Sequence, residues 1–169
     1  MEEDALIFDW NSVDYEIIRN KKQHPHDLWF DDETLRDGLQ SPTAKNPSIE
    51  QKIELIDFME KLGIQKVDLG LPGAGPQHIG HIDEMLMHMG NMDYELRPGC
   101  AVRTVISDIE PLVNLQSKHE REIQASAFLG TSPIRQFAEN WTMKKILETA
   151  ENAVTYAIDN DIPVMFVTE

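Results

Sequence analysis

The feature that most constrains the fold of this chain is an alternation of apolar, β-type segments with amphipathic helical segments, which starts near residue 28. Successive apolar segments begin about 30 or more residues apart, which is the length of a strand, a helix and two connections. The alternation therefore predicts βα units around a parallel sheet. The five predicted strands cover Leu28–Leu35, Lys66–Leu71, Leu96–Val105, Ile123–Leu129 and Ile162–Thr168.

Four helices are predicted between these strands. The first is marked by a capping box of Ser48 and Gln51, and Gly63 ends it. The other three show helical spacing of apolar residues between the later strands. They cover about Pro76–Met89, Ser107–Lys118 with Ser107 as N-cap, and Thr142–Ile158.

The predicted sheet ends directly after its fifth strand, which leaves the edge of that strand unpaired. We expect either a fragment of a longer chain or an open sheet whose edge another segment covers. Residues 1–27 carry aromatic side chains among acidic ones, and they predict an N-terminal leader that docks on a partner subunit. Residues 28–169 form the α/β domain itself.

Composition narrows the possible partners. A net charge of −15, from 30 acidic and 15 basic residues, disfavours nucleic acid and anionic membrane surfaces. Cys100 is the only cysteine, so no intramolecular disulfide can form, and we expect a buried thiol and a cytoplasmic location. No segment has the composition of a secretory signal or the length of a membrane span.

The segment Asp32–Gln40 is the best candidate for chemistry, because it places a carboxylate beside a guanidinium. Arg36 and Asp37 would point to opposite faces of an ideal strand, so they can converge only where the strand ends. Gly38 favours such an ending. Asp37 can then bind a hard divalent cation, and Arg36 can stabilise an oxyanion. The simpler alternative is a solvated turn with a weak surface ion pair.

This segment resembles the signature at the end of the first barrel strand in metal-dependent acyltransferases and lyases. Isopropylmalate synthase, homocitrate synthase, citramalate synthase and hydroxymethylglutaryl-CoA lyase belong to that group. The resemblance covers residues 28–169 and implies a (β/α)8 TIM barrel, which needs about 250 residues when complete. The chain then supplies about the first five strands and four helices of the barrel.

The resemblance implies a Claisen-type condensation of acetyl-CoA with a 2-oxo acid, assisted by Mg²⁺, Mn²⁺ or Zn²⁺. By this analogy Asp37 holds the metal and Arg36 stabilises developing negative charge. Gln40 and Asp68 position the substrate or Arg36. The partners implied are the small 2-oxo acid, the acyl-CoA and a second subunit in a homodimer.

Residues on the second and third strands extend the analogy. The family carries a Glu that contacts the first-strand Arg, and Asp68 stands at that position with a side chain one methylene shorter. We therefore expect the contact with Arg36 to be lengthened or lost. Arg103 matches an Arg of many isopropylmalate synthases and can neutralise a substrate carboxylate. A strand-end charge that reaches solvent is an equal reading of Arg103.

The fourth and fifth strands add further candidates by resemblance. The stretch Phe128–Ile134 looks like the corresponding strand end in the family and implies that Thr131 contacts substrate. The fifth strand implies that Thr168 contacts substrate and that Glu169 orients it or transfers a proton.

Two positions depart from the family pattern. Ser126 and Arg135 stand near places where many relatives carry His, so a group that exchanges protons near neutral pH is missing twice. A lyase or aldolase that cleaves a carbon–carbon bond is one alternative, and a non-catalytic, metabolite-binding barrel homologue is another. The 169-residue chain offers one candidate metal ligand, so we expect it to be inactive alone.

The remaining histidines and large apolar residues have simpler interpretations. His24 and His26 precede the first strand and are assigned to the leader. The histidines of the second helix are assigned as solvated or packed side chains; they are His78, His81 and His88. Core or subunit contacts are expected for Trp141, Met85, Met87, Met89 and Met143.

Overall fold

The computed structural model describes residues 29–168, in which five strands alternate with helices. The strands are β1 (Asp31–Asp32), β2 (Lys66–Asp68), β3 (Arg97–Arg103), β4 (Gln124–Leu129) and β5 (Val164–Thr168). The helices are α1 (Ile49–Leu62), α2 (Pro76–Asn91), α3 (Ile106–His119), α4 (Pro133–Ala138) and α5 (Met143–Asp159). Two short 3-10 helices follow β1 and β2, at Gly38–Gln40 and Pro72–Ala74. The leader with His24 and His26 lies outside the described residues.

The sheet has the order β1-β2-β3-β4-β5, and every neighbouring pair is parallel. Each strand therefore pairs with the next one along the chain, as in the first part of a TIM barrel. The predicted fold class is confirmed: the five strands form a half-barrel with helices on its outside. Because all strands run the same way, their carboxyl ends lie at one rim.

The hydrophobic core lies between the sheet and the helices. On β3 and β4, alternate residues belong to this core, including Cys100, Val102, Ala125 and Ala127. Cys100 is buried, as predicted. The residues between them face the inner side of the half-barrel, where Ala101 pairs with Ser126. The largest buried helical side chains are Ile56, Ile82, Met85, Leu86, Met89, Ile109 and Leu112.

Two of the predicted core methionines lie elsewhere. Met85 and Met89 are fully buried, but Met87 and Met143 are more than half exposed. They face away from the core because their helices have only one side against the sheet. The possibility that they contact another subunit stays a prediction.

Two predicted strands end earlier than expected, and both do so for the same reason. The prediction that the first strand continues to Leu35 is wrong, because the Asp32 carboxylate accepts the N–H of Thr34 at 2.8 Å. The second strand ends at Asp68, whose carboxylate accepts the N–H of Gly70 at 2.9 Å. An Asx-type turn therefore competes with the ladder at each carboxyl end.

The helix starts were partly predicted. Ser48 and Gln51 form the expected capping box of α1, and Gly63 takes the left-handed conformation at φ 72° that ends it. The fifth helix starts near Thr142, as predicted, and the Thr142 side chain is its N-cap. The N-cap prediction for Ser107 is wrong, because α3 begins at Ile106 and Ser107 lies inside its first turn. The short helix α4 was not predicted.

The two serines provide a matched test of the capping argument. Ser48→Ala removes the acceptor of the Gln51 N–H, so we expect the free energy of unfolding to fall by about 1 kcal/mol. Ser107→Ala removes an exposed hydroxyl that makes no cap, so we expect a change within about 0.5 kcal/mol. Urea unfolding of the two variants measures both values. Equal losses would contradict the assignment of Ser48 as the cap.

None of the helices between residues 29 and 168 is both long and apolar enough to cross a lipid bilayer.

Candidate active site

Arg36 lies in the turn that follows β1, at the carboxyl-end rim of the half-barrel. Leu35 is buried and fixes this turn, and the Glu33 carbonyl accepts the N–H groups of Arg36 and Gly38. The guanidinium donates to the Glu33 carboxylate at 2.8 Å and to Asp37 Oδ1 at 3.3 Å. The predicted convergence of Arg36 and Asp37 is therefore present, although it occurs in a turn and not on the strand.

Asp68 ends β2 and reaches the same guanidinium from the inner face of the sheet. Its Oδ1 accepts the N–H groups of Gly70 at 2.9 Å and Ala101 at 3.3 Å. Its Oδ2 lies 3.7 Å from Arg36 Nε and has no hydrogen-bond partner within residues 29–168. The contact with Arg36 is thus an ion pair longer than a hydrogen bond, as the shorter side chain led us to expect.

The charges of this group are set by burial and by mutual contact. Asp68 is 1% exposed, and burial is the main reason why its pKa rises to about 6. Its backbone hydrogen bonds and Arg36 oppose that rise. Burial alone would lower the pKa of Arg36, but the hydrogen bond and charge of Glu33, with Asp68 and Asp37, raise it. The guanidinium therefore stays charged while Asp68 titrates near neutral pH.

Asp37 is the candidate metal ligand, and its chemistry fits a hard divalent cation. Its side chain is 66% exposed, and the 3.3 Å contact with Arg36 leaves a carboxylate oxygen open. Within residues 29–168, no three His, Cys, Asp or Glu side chains cluster closely enough to hold a metal. Binding of a metal by Asp37 stays a prediction.

Arg103 ends β3 at the same rim, where Asp108 of α3 holds it. The pair is bidentate, with Nε 2.7 Å from Oδ2 and Nη2 2.8 Å from Oδ1. Asp108 is buried beneath Gly73, and a Cβ at Gly73 would overlap the Asp108 carboxylate. Arg103 therefore links the second and third rim loops, which is a role that its strand-end position did not reveal.

The other predicted site residues are distributed along the rim. Gln40 lies beside Arg36 in the first 3-10 helix, and Thr131 lies two residues beyond β4. Thr168 is the last residue of β5. It lies on the same face of the strand as Val164, and Val164 packs against the core. Glu169 lies outside the described residues. Their roles in substrate binding stay predictions.

The two positions that depart from the family pattern also lie near this rim. Ser126 is buried on the inner face of β4, and Arg135 is exposed on α4, where it pairs with Glu139 at 3.7 Å. The stem of Arg135 covers Gly130, which leaves no space for a Cβ there.

A cavity of about 420 Å³ opens beside Arg36, between the rim loops and helices α1 and α2. Lys52 and His81 line it, and Lys52 Nζ lies 3.2 Å from His81 Nδ1. Lys52 was not predicted as a site residue, because its position in an amphipathic helix resembles that of any surface lysine. Glu33 was missed as well, although its position three residues before Arg36 was a usable signal.

The histidines of α2 have separate environments. His88 contacts Asp57 at 2.7 Å, and His78 is exposed beside the cavity. The prediction of solvated or packed side chains is confirmed for these two. His81 is half-buried and contacts a cation, which was not expected.

Comparison with known proteins gives consistent matches. A family model described as HMGL-like matches residues 28–169. The 2-isopropylmalate synthase of Brevibacillus brevis is 33% identical over 139 residues, which are 82% of this chain and 26% of that protein. The 2-isopropylmalate synthase of Streptococcus gallolyticus is 34% identical over 129 residues, or 76% of this chain and 24% of that protein.

Homocitrate synthase AksA of Methanosarcina acetivorans is 27% identical over 146 residues, which are 86% of this chain and 34% of that protein. The chain spans about a quarter to a third of the length of these curated relatives. The parallel half-barrel, the Arg36–Asp37 turn at its carboxyl rim and the match over residues 28–169 lead to one conclusion: the chain belongs to the HMGL-like family.

Proposed function

We propose that the protein containing this chain catalyses a metal-dependent condensation of acetyl-CoA with a 2-oxo acid. The observation that carries the proposal is the convergence of Arg36, Asp37 and Asp68 at the carboxyl-end rim, beside an open cavity. Active sites of TIM barrels lie at this rim. The relatives named as isopropylmalate and homocitrate synthases support the same reaction class.

Arg36 would act on the oxygen that becomes negative during the reaction. A base removes a methyl proton from acetyl-CoA, and the resulting carbanion attacks the carbonyl carbon of the 2-oxo acid, whose oxygen becomes an alkoxide and then takes up a proton. Water hydrolyses the thioester of the product, which leaves a carboxylate and releases CoA as the free thiol. A charged planar guanidinium is suited to donate hydrogen bonds to such an oxygen. Glu33 and Asp68 hold the guanidinium from two sides and limit its rotation.

The remaining residues would bind substrate, metal or protons. Asp37 would hold the divalent cation, Mg²⁺, Mn²⁺ or Zn²⁺, which polarises a carbonyl group when bound. We assign substrate binding and proton transfer to the residues predicted for these roles from the sequence. They are Gln40, Arg103, Thr131 and Thr168 for the substrate, and Glu169 for the proton. Assembly as a homodimer and a cytoplasmic location stay predictions from the sequence.

Thiol release from the full-length protein tests this proposal. We expect acetyl-CoA, Mn²⁺ or Mg²⁺ and one member of a panel of 2-oxo acids to release free CoA, which a thiol reagent detects. Asp37→Asn should reduce that rate by about 100-fold or more, because the metal loses a charged ligand. Asp93→Asn is the matched control, since this exposed aspartate lies in the turn before β3, at the opposite rim.

Three outcomes would redirect the proposal. No release with any acceptor overturns the condensation. Cleavage of a 3-hydroxyacyl-CoA without condensation supports the lyase alternative, which uses the same groups in reverse. Binding of Mn²⁺ that is equal in the parent protein and in Asp37→Asn excludes Asp37 as a ligand. The 169-residue chain alone should show no turnover, because Asp37 belongs to no cluster of three metal-ligating side chains within residues 29–168.

A further inference from the structure

Lys52 is a buried cation without an anionic partner among residues 29–168. Lysine is almost never buried unless it is paired, and burial of an unpaired charge is costly. Lys52 is nevertheless 5% exposed, and its contact is with His81 Nδ1, 3.2 Å from Nζ. Burial lowers its pKa, and no neighbouring carboxylate opposes that effect. The ammonium group is therefore placed to receive a negative charge from elsewhere.

The 420 Å³ cavity provides the space for that charge. Lys52 and His81 form part of its wall, and Arg36 and Gln40 lie on the side nearest the rim. The rest of the wall is largely apolar and consists of Leu35, Leu39, Leu69, Leu71, Ala74 and Ile82. A ligand with an anionic end and an apolar body fits such a wall, because the end can contact Lys52 and the body can contact the apolar side chains.

Helix α2 adds a second source of positive potential. Its N-cap is Gly75, which offers no side chain to cap the helix, and its first turn contains no acidic residue. Ala74 and His78, at this end of the helix, line the cavity. The positive end of a 16-residue helix thus adjoins the same space as Lys52.

The carboxylates near the cavity do not pair with Lys52. Arg36 is already paired with Glu33, Asp37 and Asp68, but none of these acids pairs with Lys52. Glu84 raises the pKa of His81, but burial and the charge of Lys52 lower it overall. The cavity wall therefore holds a lysine that no carboxylate of residues 29–168 pairs with, in a chain of net charge −15.

We propose that this cavity binds an anionic group of a small ligand, a carboxylate or a phosphate, through Lys52, His81 and the first turn of α2. The inference rests on the proposed function through Arg36 and Gln40, which line the same cavity, whereas Lys52 and His81 lie on α1 and α2, outside the strand ends. Carboxylate and phosphate are equally suited to an ammonium and a helix N-terminus, so the source of the anion must be determined by titration.

Calorimetric titration of the full-length protein with inorganic phosphate and, separately, with glutarate tests the site. We expect one of the two anions to bind, and its identity shows whether the cavity takes a phosphate or a carboxylate. Lys52→Met should weaken that binding by about tenfold or more, because a charge-assisted hydrogen bond is lost. Lys61→Met is the control, since this exposed lysine lies on the last turn of the same helix.

A second variant keeps the test decisive if Lys52→Met does not fold, which circular dichroism would show. His81→Gln removes the ring that contacts Lys52 from a half-buried position, and it should also weaken binding. The proposal is overturned if neither anion binds, or if the folded variants bind as tightly as the parent. Anion binding without thiol release would overturn the proposed condensation and leave this site standing.

Discussion

If the proposed condensation is correct, replacing Arg36 with methionine in the full-length protein is expected to reduce kcat by at least about 100-fold, with a smaller change in KM. The expected loss is the one measured when an oxyanion-stabilising donor is removed from other active sites. A donor that acts only on the developing alkoxide affects the transition state more than the bound substrate. Steady-state assay of thiol release, with the acceptor varied, separates the two constants.

Two further variants define the origin of that loss. Arg36→Lys keeps a charge but lacks the fork that spans Glu33 and Asp37, so we expect it to recover only part of kcat. Arg97→Met removes an arginine at the opposite rim, where it stacks on Trp29 4.3 Å from the ring centroid. Its kcat should stay close to that of the parent. An Arg36→Met variant with nearly unchanged kcat would disprove the assigned role.

Compared with the parent at the same pH, the Asp68→Asn variant is expected to become progressively more stable as pH rises from about 4 to about 7. The pKa of Asp68 is raised to about 6 in the folded protein, from an ordinary value of 3.8. The folded state therefore holds this proton more tightly than the unfolded state does. The stabilisation from the protonated group is complete below pH 3.8 and is lost as pH rises through 6.

Asparagine carries no charge at any pH and avoids this loss. The stability difference between Asp68→Asn and the parent should therefore shift in favour of asparagine by about 3 kcal/mol across the window. Urea unfolding at several pH values measures that shift. Asp57→Asn is the control of opposite sign, because hydrogen bonds from His88 and Tyr94 outweigh burial and lower the pKa of Asp57. If the stability difference between Asp68→Asn and the parent does not change with pH, burial does not raise the pKa of Asp68 and the assignment is wrong.

The sequence predicted those parts of the fold that depend on local patterns. The capping box at Ser48 and the stop at Gly63 follow from residues close together in the chain, whereas the barrel order of the strands was implied by the family resemblance. The position of Arg36 and Asp37 beyond the first strand was also predicted, although β1 ends at Asp32 and not at the Asp37-Gly38 step. These features needed no knowledge of tertiary contacts.

The features that the sequence did not reveal depend on packing between distant segments. Lys52 is buried because α1 packs against α2, and its neighbour His81 lies 29 positions further along the chain. The ionisation of Asp68 reflects its burial at the carboxyl end of β2, which no local pattern encodes. The early end of β1 depends on one hydrogen bond, from the Thr34 N–H to Asp32, which competes with strand pairing.

The contact between Gly73 and Asp108 has a consequence for how this family can vary. Any side chain at position 73 meets the carboxylate that holds Arg103, so a larger residue there requires a smaller or displaced residue at position 108. That exchange would release the guanidinium from its bidentate partner. Substitutions at these two sites should therefore occur together in evolution, and homologues without the glycine should present a reoriented arginine at the third strand end.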